Sequence, residues 1–312
     1  MTRTALTLTV MILASYYVTS NSLNDLRIRS TTFLIVIHIN SVLPFGSEFE
    51  IALNIIMVKQ TKIIQRKVSI MSLYVISDLH LSTNAATNKS MEKFGARWID
   101  YLRKIEKNFK AIINDDDYVI IPGDISWAMT LEEAKSDFLF LDSLPGTKII
   151  GKGNHDFWWS TASKINGFFQ ENSINTIKLL HNNAYLLEDC IVCGSRGWFY
   201  DEKQQKTVGD VDYEKIVARE AQRLEISLTE AMKLKESNPS LPVLVFLHFP
   251  PIYADCICEP IMSILKKYNI STCYYGHIHN NYNIPRQFTF DGVTFTMVAA
   301  DYLNFCPMPI FL

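Results

Sequence analysis

The sequence predicts an α/β fold with a mixed sheet, and three observations carry that expectation. From Leu73 onward, short apolar runs alternate with segments of helical period, which implies parallel strands joined by crossover helices. Asp291-Gly292, between Phe288–Phe290 and Val293–Val298, is a strong hairpin turn and adds antiparallel strands. Five apolar runs end on Asp, Asn or His, where open α/β sheets bind ligands, just outside the carboxyl ends of their strands.

Taken in order, Leu73–Ser77 is a short β-rich run. Ser90 to Ile113 has helical spacing, with Phe94, Trp98, Ile99, Leu102 and Ile105 on one stripe, until Asn114 to Asp117 breaks it. Tyr118–Pro122 is a buried strand. Thr130-Leu-Glu-Glu133 is a capping box that opens a helix to about Leu144. Lys148–Gly151 is the next strand, and a helix follows Trp159. Leu179 to Gly194 reads as short strands with turns at Asn182-Asn183 and Glu188-Asp189. Asp212 to Glu236 is one long amphipathic helix, a solvated cover, a lid or a dimer face. Val243–Leu247 and Thr272–Tyr275 are strands flanking a helix near Ile257–Tyr268.

Composition bounds the function. A chain of 312 residues that is 48% hydrophobic and 20% charged can bury a sizeable core. Its net charge of −2 gives no basic face for a nucleic-acid backbone, so no nucleic-acid partner is expected. Six cysteines, Cys190, Cys193, Cys256, Cys258, Cys273 and Cys306, lie mostly in apolar runs and read as reduced core thiols of a cytoplasmic protein. Residues 1–70 differ from the rest, with seven Lys/Arg against three Asp/Glu, where the remaining 242 carry 23 against 29. Three readings of them compete: a weak signal or membrane anchor, an irregular extension, or a mis-called start. The last is preferred, because Met71 directly abuts the first core strand, and it makes 71–312 the working domain with no stable membrane partner.

The strand exits carry the chemistry. They are Asp78-Leu-His80, Gly123-Asp124, Gly153-Asn-His-Asp156, His248 and Gly276-His-Ile-His279. Residues i and i+2 of an extended segment point the same way, so Asp78 with His80, and His277 with His279, can each present two donors to one point. Each piece alone is weak, since a lone histidine is usually structural. Together, four histidines, two aspartates and Asn154 exceed the three protein ligands of one catalytic zinc. Two ions are therefore expected, with Asp124 suited to bridge them, and mixed imidazole and carboxylate donors suit Mn, Fe or Zn better than Ca or Mg.

This motif series resembles that of the calcineurin-like metallophosphoesterases, in family order over residues 78–279. The resemblance covers about 71–312. It implies a four-layer α/β/β/α sandwich, one ion held by Asp78, His80, Asp124 and His279, and another held by Asp124, Asn154, His248 and His277. It makes His155 the catalytic histidine and Asp156 a candidate to orient it. A water shared by two ions would attack phosphorus while His155 protonates or stabilises the leaving oxygen. The expected substrate is a small phosphomonoester or phosphodiester, or a nucleotide. The segments Gly-Asp-Ile-Ser-Trp127 and Asn-His-Asp-Phe-Trp-Trp159 depart from the phosphoprotein phosphatases and look most like bacterial phosphohydrolases of unassigned substrate.

Beside the ligand positions, Trp127 and Trp158 could stack a base, wall a pocket or simply pack the core, and Arg196 reads either as a surface salt bridge or as an extra phosphate contact. Two other classes compete with the enzyme. A scaffold of this fold would have lost ligands, and a nuclease would want a basic groove.

Overall fold

Strand side chains alternate between an inner and an outer apolar layer, and that alternation leaves the polar chemistry at the strand ends. The computed structural model describes residues 72–84, 89–199 and 212–312. The chain divides into two units, Met1–Ser69 and Ile70–Leu312; the readings of residues 1–70 as anchor, extension or mis-called start lie outside the described residues.

One five-stranded sheet has the order β13-β1-β2-β3-β4, with β1 Leu73–Val75, β2 Tyr118–Ile121, β3 Thr147–Ile150, β4 Ile177–Leu179 and β13 Met308–Ile310. Strands β1 to β4 are parallel, and β13 closes one edge antiparallel. A six-stranded sheet has the order β11-β12-β10-β7-β6-β5. Its parallel centre is β6 Ile191–Ser195, β7 Val243–Leu247, β10 Thr272–Tyr275 and β12 Val293–Met297. The edges β5 Ala184–Leu186 and β11 Gln287–Phe290 are antiparallel, the latter through the expected hairpin at Asp291-Gly292. A small ribbon pairs β8 Ile252–Tyr253 with β9 Cys256–Ile257.

Period-two burial builds the layers. Val75, Ile120 and Ile149 of the first sheet meet Val192, Leu244, Phe246 and Tyr274 of the second between the sheets. Their neighbours Val119, Ile121 and Ile150 face outward onto helices α1 Tyr101–Ile112, α2 Leu131–Ser143 and α3 Ala162–Glu171. On the far side, Cys193, Val245 and Cys273 pack with α4 Tyr213–Ser237 and α5 Glu259–Lys267. The result is the α/β/β/α sandwich expected from the motif series. All six cysteines are free. Among the described residues, no helix is long and apolar enough to cross a membrane.

Two local outcomes differ in value. The N-cap forms as expected, Thr130 Oγ1 accepting from the Glu133 amide at 3.2 Å, while Glu133 Oε2 reaches one residue past the N-cap to the Met129 amide at 2.8 Å. The helical stripe over Ser90–Ile113 is broken. Two short 3-10 turns, Met91–Phe94 and Ala96–Trp98, precede α1, because Gly95 (φ 131°) and Asp100 (φ 55°) both leave the helical region. Phe94 and Ile99 are consequently exposed while Trp98 and Ile105 are buried.

Candidate metal centre

The loops leaving β1 and β2 are joined by main-chain bonds: Asp78 N to Gly123 O (3.0 Å), His80 N to Asp124 O (2.9 Å) and Leu81 N to Ile125 O (2.8 Å). Asp78, His80, Asp124 and His277 all adopt positive φ, from 46° to 71°, a conformation that costs non-glycine residues energy and clusters at functional sites. Two glycines make the close approach possible. A Cβ on Gly153 would fall 2.0 Å from Asp124 Oδ1, and one on Gly276 would fall 2.3 Å from Asp78 Oδ2.

These turns gather the donors into two adjoining groups, Asp78, His80 and His279 in one and Asp124, His248 and His277 in the other. Within each group the donor atoms lie within 4.8 Å of one another. Asp124 Oδ2 faces both groups, 3.6 Å from His80 Nε2 and 3.5 Å from His248 Nε2. It is buried and, among the described residues, accepts no hydrogen bond. Asp78 Oδ1 lies 3.4 Å from His279 Nε2 and 3.8 Å from His248 Nδ1. Asn154 Oδ1 is 2.7 Å from His248 Nε2, which puts the amide oxygen beside the second group. His80 Nε2 and His279 Nε2 face each other at 3.0 Å.

Electrostatics fit a cation at this point. Burial, then neighbouring histidines, hold His80 and His248 well below the ordinary imidazole pKa, and burial lowers His277 to about 4. Their lone pairs are therefore free to donate. Burial and the nearby Asp78 and Asp156 push Asp124 well above the usual carboxylate range. An anionic oxygen buried without a donor is costly unless a charge is paired with it. His279 is the exception. Burial opposes its protonation, but Asp78 and Asp301 outweigh it and raise it to about 10. Neutral imidazoles, crowded carboxylates and an orphan oxygen are together the donor set that divalent ions take.

The other expected site residues fall in different places. His155 stands at the cluster, its ring 4.3 Å from Trp127 and 5.5 Å from His80, and its amide donates to Asp124 Oδ1 at 2.8 Å. Its side chain is half-buried, and Nδ1 has no hydrogen-bond partner. Trp127 stacks on His80 at 4.9 Å and walls that side.

Asp156, expected to orient His155, makes no hydrogen bond to that side chain among the described residues. Its carboxylate accepts from the amides of Gly153 (2.7 Å), Asp124 (2.9 Å), Ile125 (2.8 Å) and Ser126 (3.2 Å) and from Trp158 Nε1 (3.0 Å). Burial lifts its pKa to about 6 against those donors. Asp156 therefore ties the β2 exit to the β3 exit. Trp158 takes the core alternative of its two readings, buried edge-on against Phe138. The Arg196 side chain turns to Glu220 (2.7 Å), while its carbonyl accepts from the amides of His248 (3.1 Å) and Phe249 (2.9 Å).

Sequence reasoning missed Asp301. This fully buried carboxylate accepts from His279 Nδ1 at 3.0 Å, the Asn280 amide at 3.0 Å and Tyr282 Oη at 3.0 Å. Its signal was available. Asp301 follows the apolar run Val293–Ala300, so it is one more acid at a strand exit.

A two-sheet sandwich with paired Asp/His groups at its strand ends defines the class of metal-dependent phosphoesterases. Residues 71–281 match the sequence profile of the calcineurin-like phosphoesterases, and the chain belongs to that family. It is a metal-dependent hydrolase, and the family implies a dinuclear divalent centre. No curated protein matches the chain. Among solved structures, it is similar to a phosphopantetheinyl hydrolase from Mycobacterium tuberculosis, at 16% identity and TM-score 0.46, over 77% of this chain and 95% of that one. It is also similar to a protein of unknown function, AQ665 from Aquifex aeolicus, at 14% identity and TM-score 0.41, over 77% and 95%. A third is TT1561 of Thermus thermophilus, at 11% identity and TM-score 0.45, over 75% and 91%.

Proposed function

We propose that the protein hydrolyses a small phosphomonoester or phosphodiester with two divalent ions. Asp78, His80, Asp124 and His279 hold one ion, and Asp124, Asn154, His248 and His277 hold the other, with Mn favoured over Fe or Zn. When bound, such a pair activates a water and offsets charge on the phosphoryl oxygens. The chain's own residues do the rest. Asp124, whose Oδ2 faces an imidazole of each group, would be the ligand shared between them. His155, free at Nδ1 beside Asp124, donates a proton to the leaving oxygen or stabilises charge there. Trp127 limits the approach of water on the His155 side.

The observation that carries this reading is Asp124 Oδ2, buried, without a hydrogen bond among the described residues, and about equally distant from an imidazole of each group. Every expected ligand position is filled, which argues against a non-catalytic scaffold. A chain net charge of −2 argues against a nuclease. A cytoplasmic setting, with no nucleic-acid or stable membrane partner, belongs to the same proposal and is supported by six free cysteines. The test is hydrolysis of p-nitrophenyl phosphate and bis-p-nitrophenyl phosphate by full-length protein, with Mn²⁺ supplied or chelated. Turnover of either ester that is lost on chelation supports the reading. Turnover of neither, at saturating Mn²⁺, overturns it.

A further inference from the structure

We propose that Lys152, Arg196 and Arg223 form a second anion subsite beside the metal centre, which seats a phosphate or carboxylate group of the substrate remote from the ester being cleaved. The inference rests on the phosphoesterase reading, and it narrows the substrate class to esters with a second anionic group.

The subsite lies where the two sheets come together at their strand exits. Lys152 follows β3, Leu180 to Asn182 follow β4, Ser195 and Arg196 end β6, and Glu220 and Arg223 come from α4; together they line one cleft. Two of these elements are continuous with the metal centre. Lys152 is two residues before Asn154, and the Arg196 carbonyl accepts the His248 and Phe249 amides. An anion in the cleft would therefore be held in fixed relation to the ligands.

Charge is the main argument. Among the described residues lining the cleft, three cations face a single carboxylate. Glu220 is fully buried, and its Oε1 takes Arg196 Nη2 at 2.7 Å, Arg223 Nη1 at 2.9 Å and, from outside the cleft, Arg219 Nε at 3.4 Å. One carboxylate cannot neutralise that group, and the Lys152 ammonium makes no ion pair among the described residues. The excess is local, since the chain as a whole carries −2. Like charges held together without counter-charge destabilise a fold, so a cluster of this kind suits an incoming anion.

Placement makes the cluster a site and not a surface patch. Arg196 is pinned by Glu220 below and by the face of Trp198, 4.6 Å from its guanidinium carbon. Its side chain is only 13% exposed, so the guanidinium is pre-organised and partly desolvated. His181 also lines the cleft, its ring 5.7 Å from that of Trp159. The enclosed space is small, about 10 Å³, so the body of a bound anion would lie outside it. A phosphate or carboxylate would therefore sit at the mouth of the cleft that Lys152, Arg196 and the partly exposed Arg223 line.

The test uses full-length, Mn²⁺-loaded protein and a chain-length series of alkane-α,ω-diol bisphosphates, each paired with the alkyl monophosphate of equal length. At one length at least, kcat/KM for the bisphosphate should exceed that for the monophosphate by about tenfold, the size of one charge-assisted hydrogen bond. Lys152→Ala and Arg223→Ala should bring that ratio close to unity mainly through KM, and Lys152→Arg should restore most of it. A merely structural cluster would change both substrates alike. A wild-type ratio near unity at every length, or a ratio that survives both alanine variants, overturns the subsite. Should the wild type hydrolyse no ester at all, the phosphoesterase reading fails separately. The subsite is then judged by calorimetric titration of the same bisphosphates: binding that weakens about tenfold in Arg223→Ala sustains it, and equal or absent binding in both proteins ends it.

Discussion

The two sheets support the metal centre in different ways. The first sheet supplies Asp78, His80, Asp124, Asn154 and His155 from three consecutive strand exits, and main-chain hydrogen bonds lock those exits together. Asp156 alone accepts from four amides across the β2 and β3 loops. The second sheet supplies His248, His277 and His279 from two exits, and its histidines are set by fewer contacts, mostly one for each. His279 has Asp301, and the His248 amide has the Arg196 carbonyl. The first sheet therefore behaves as one stapled block that fails together. The second is held by fewer bonds, a single main-chain link from the Gly276 amide to the His248 carbonyl (3.1 Å) and the His277 amide on Asp78 (3.0 Å), so its contacts can be altered with less collateral change.

The comparison can be broken at its strongest point. Asp156→Ala leaves four amides and the Trp158 indole buried without an acceptor, so stability should fall by about 3 kcal/mol or more, read by urea denaturation. Both ions should be lost with it. Retention of normal metal content would mean that the first sheet is not a single block. His155→Ala separates chemistry from ligation within that block: kcat should fall by about 10²–10⁴-fold with both ions retained. An equal loss of metal would make His155 a ligand and not a proton donor. Asn154→Ala should lower affinity for one ion only, leaving about one metal per chain by elemental analysis at limiting Mn²⁺. The smallest effect belongs to the second sheet. Asp301→Asn should weaken the ion on His279 by about 10–100-fold, because the carboxylate fixes the imidazole's tautomer and orientation. Stability and the other ion should change little; loss of both would show that the second sheet's contacts also fail as one block.

Much of this was legible in the sequence because the signals were local. An apolar run followed by Asp-x-His or Gly-Asn-His needs no partner to be recognised, and the Thr130–Glu133 capping signature is complete within four residues. Misreadings arose where meaning depends on tertiary neighbours. Asp156 looks like a partner for the adjacent His155 until the folded loops supply five donors to its carboxylate. Trp158 and Trp159 cannot be sorted into core and wall from spacing alone. The stripe before α1 hid its own breaks, since a left-handed Asp100 leaves no mark on hydrophobic periodicity. Glu220 was invisible for the same reason: it falls on the buried face of α4 beside Val217, Ala221 and Leu224, where an apolar residue is the ordinary occupant.

The most direct test of the dinuclear centre is the number of Mn²⁺ ions bound per chain, measured by titration and elemental analysis in the wild type and in Asp124→Ala. The account predicts about two ions for the wild type and loss of both in the variant, because Asp124 is shared. A wild type that binds one ion or none, or an Asp124→Ala protein that still binds two, would contradict it.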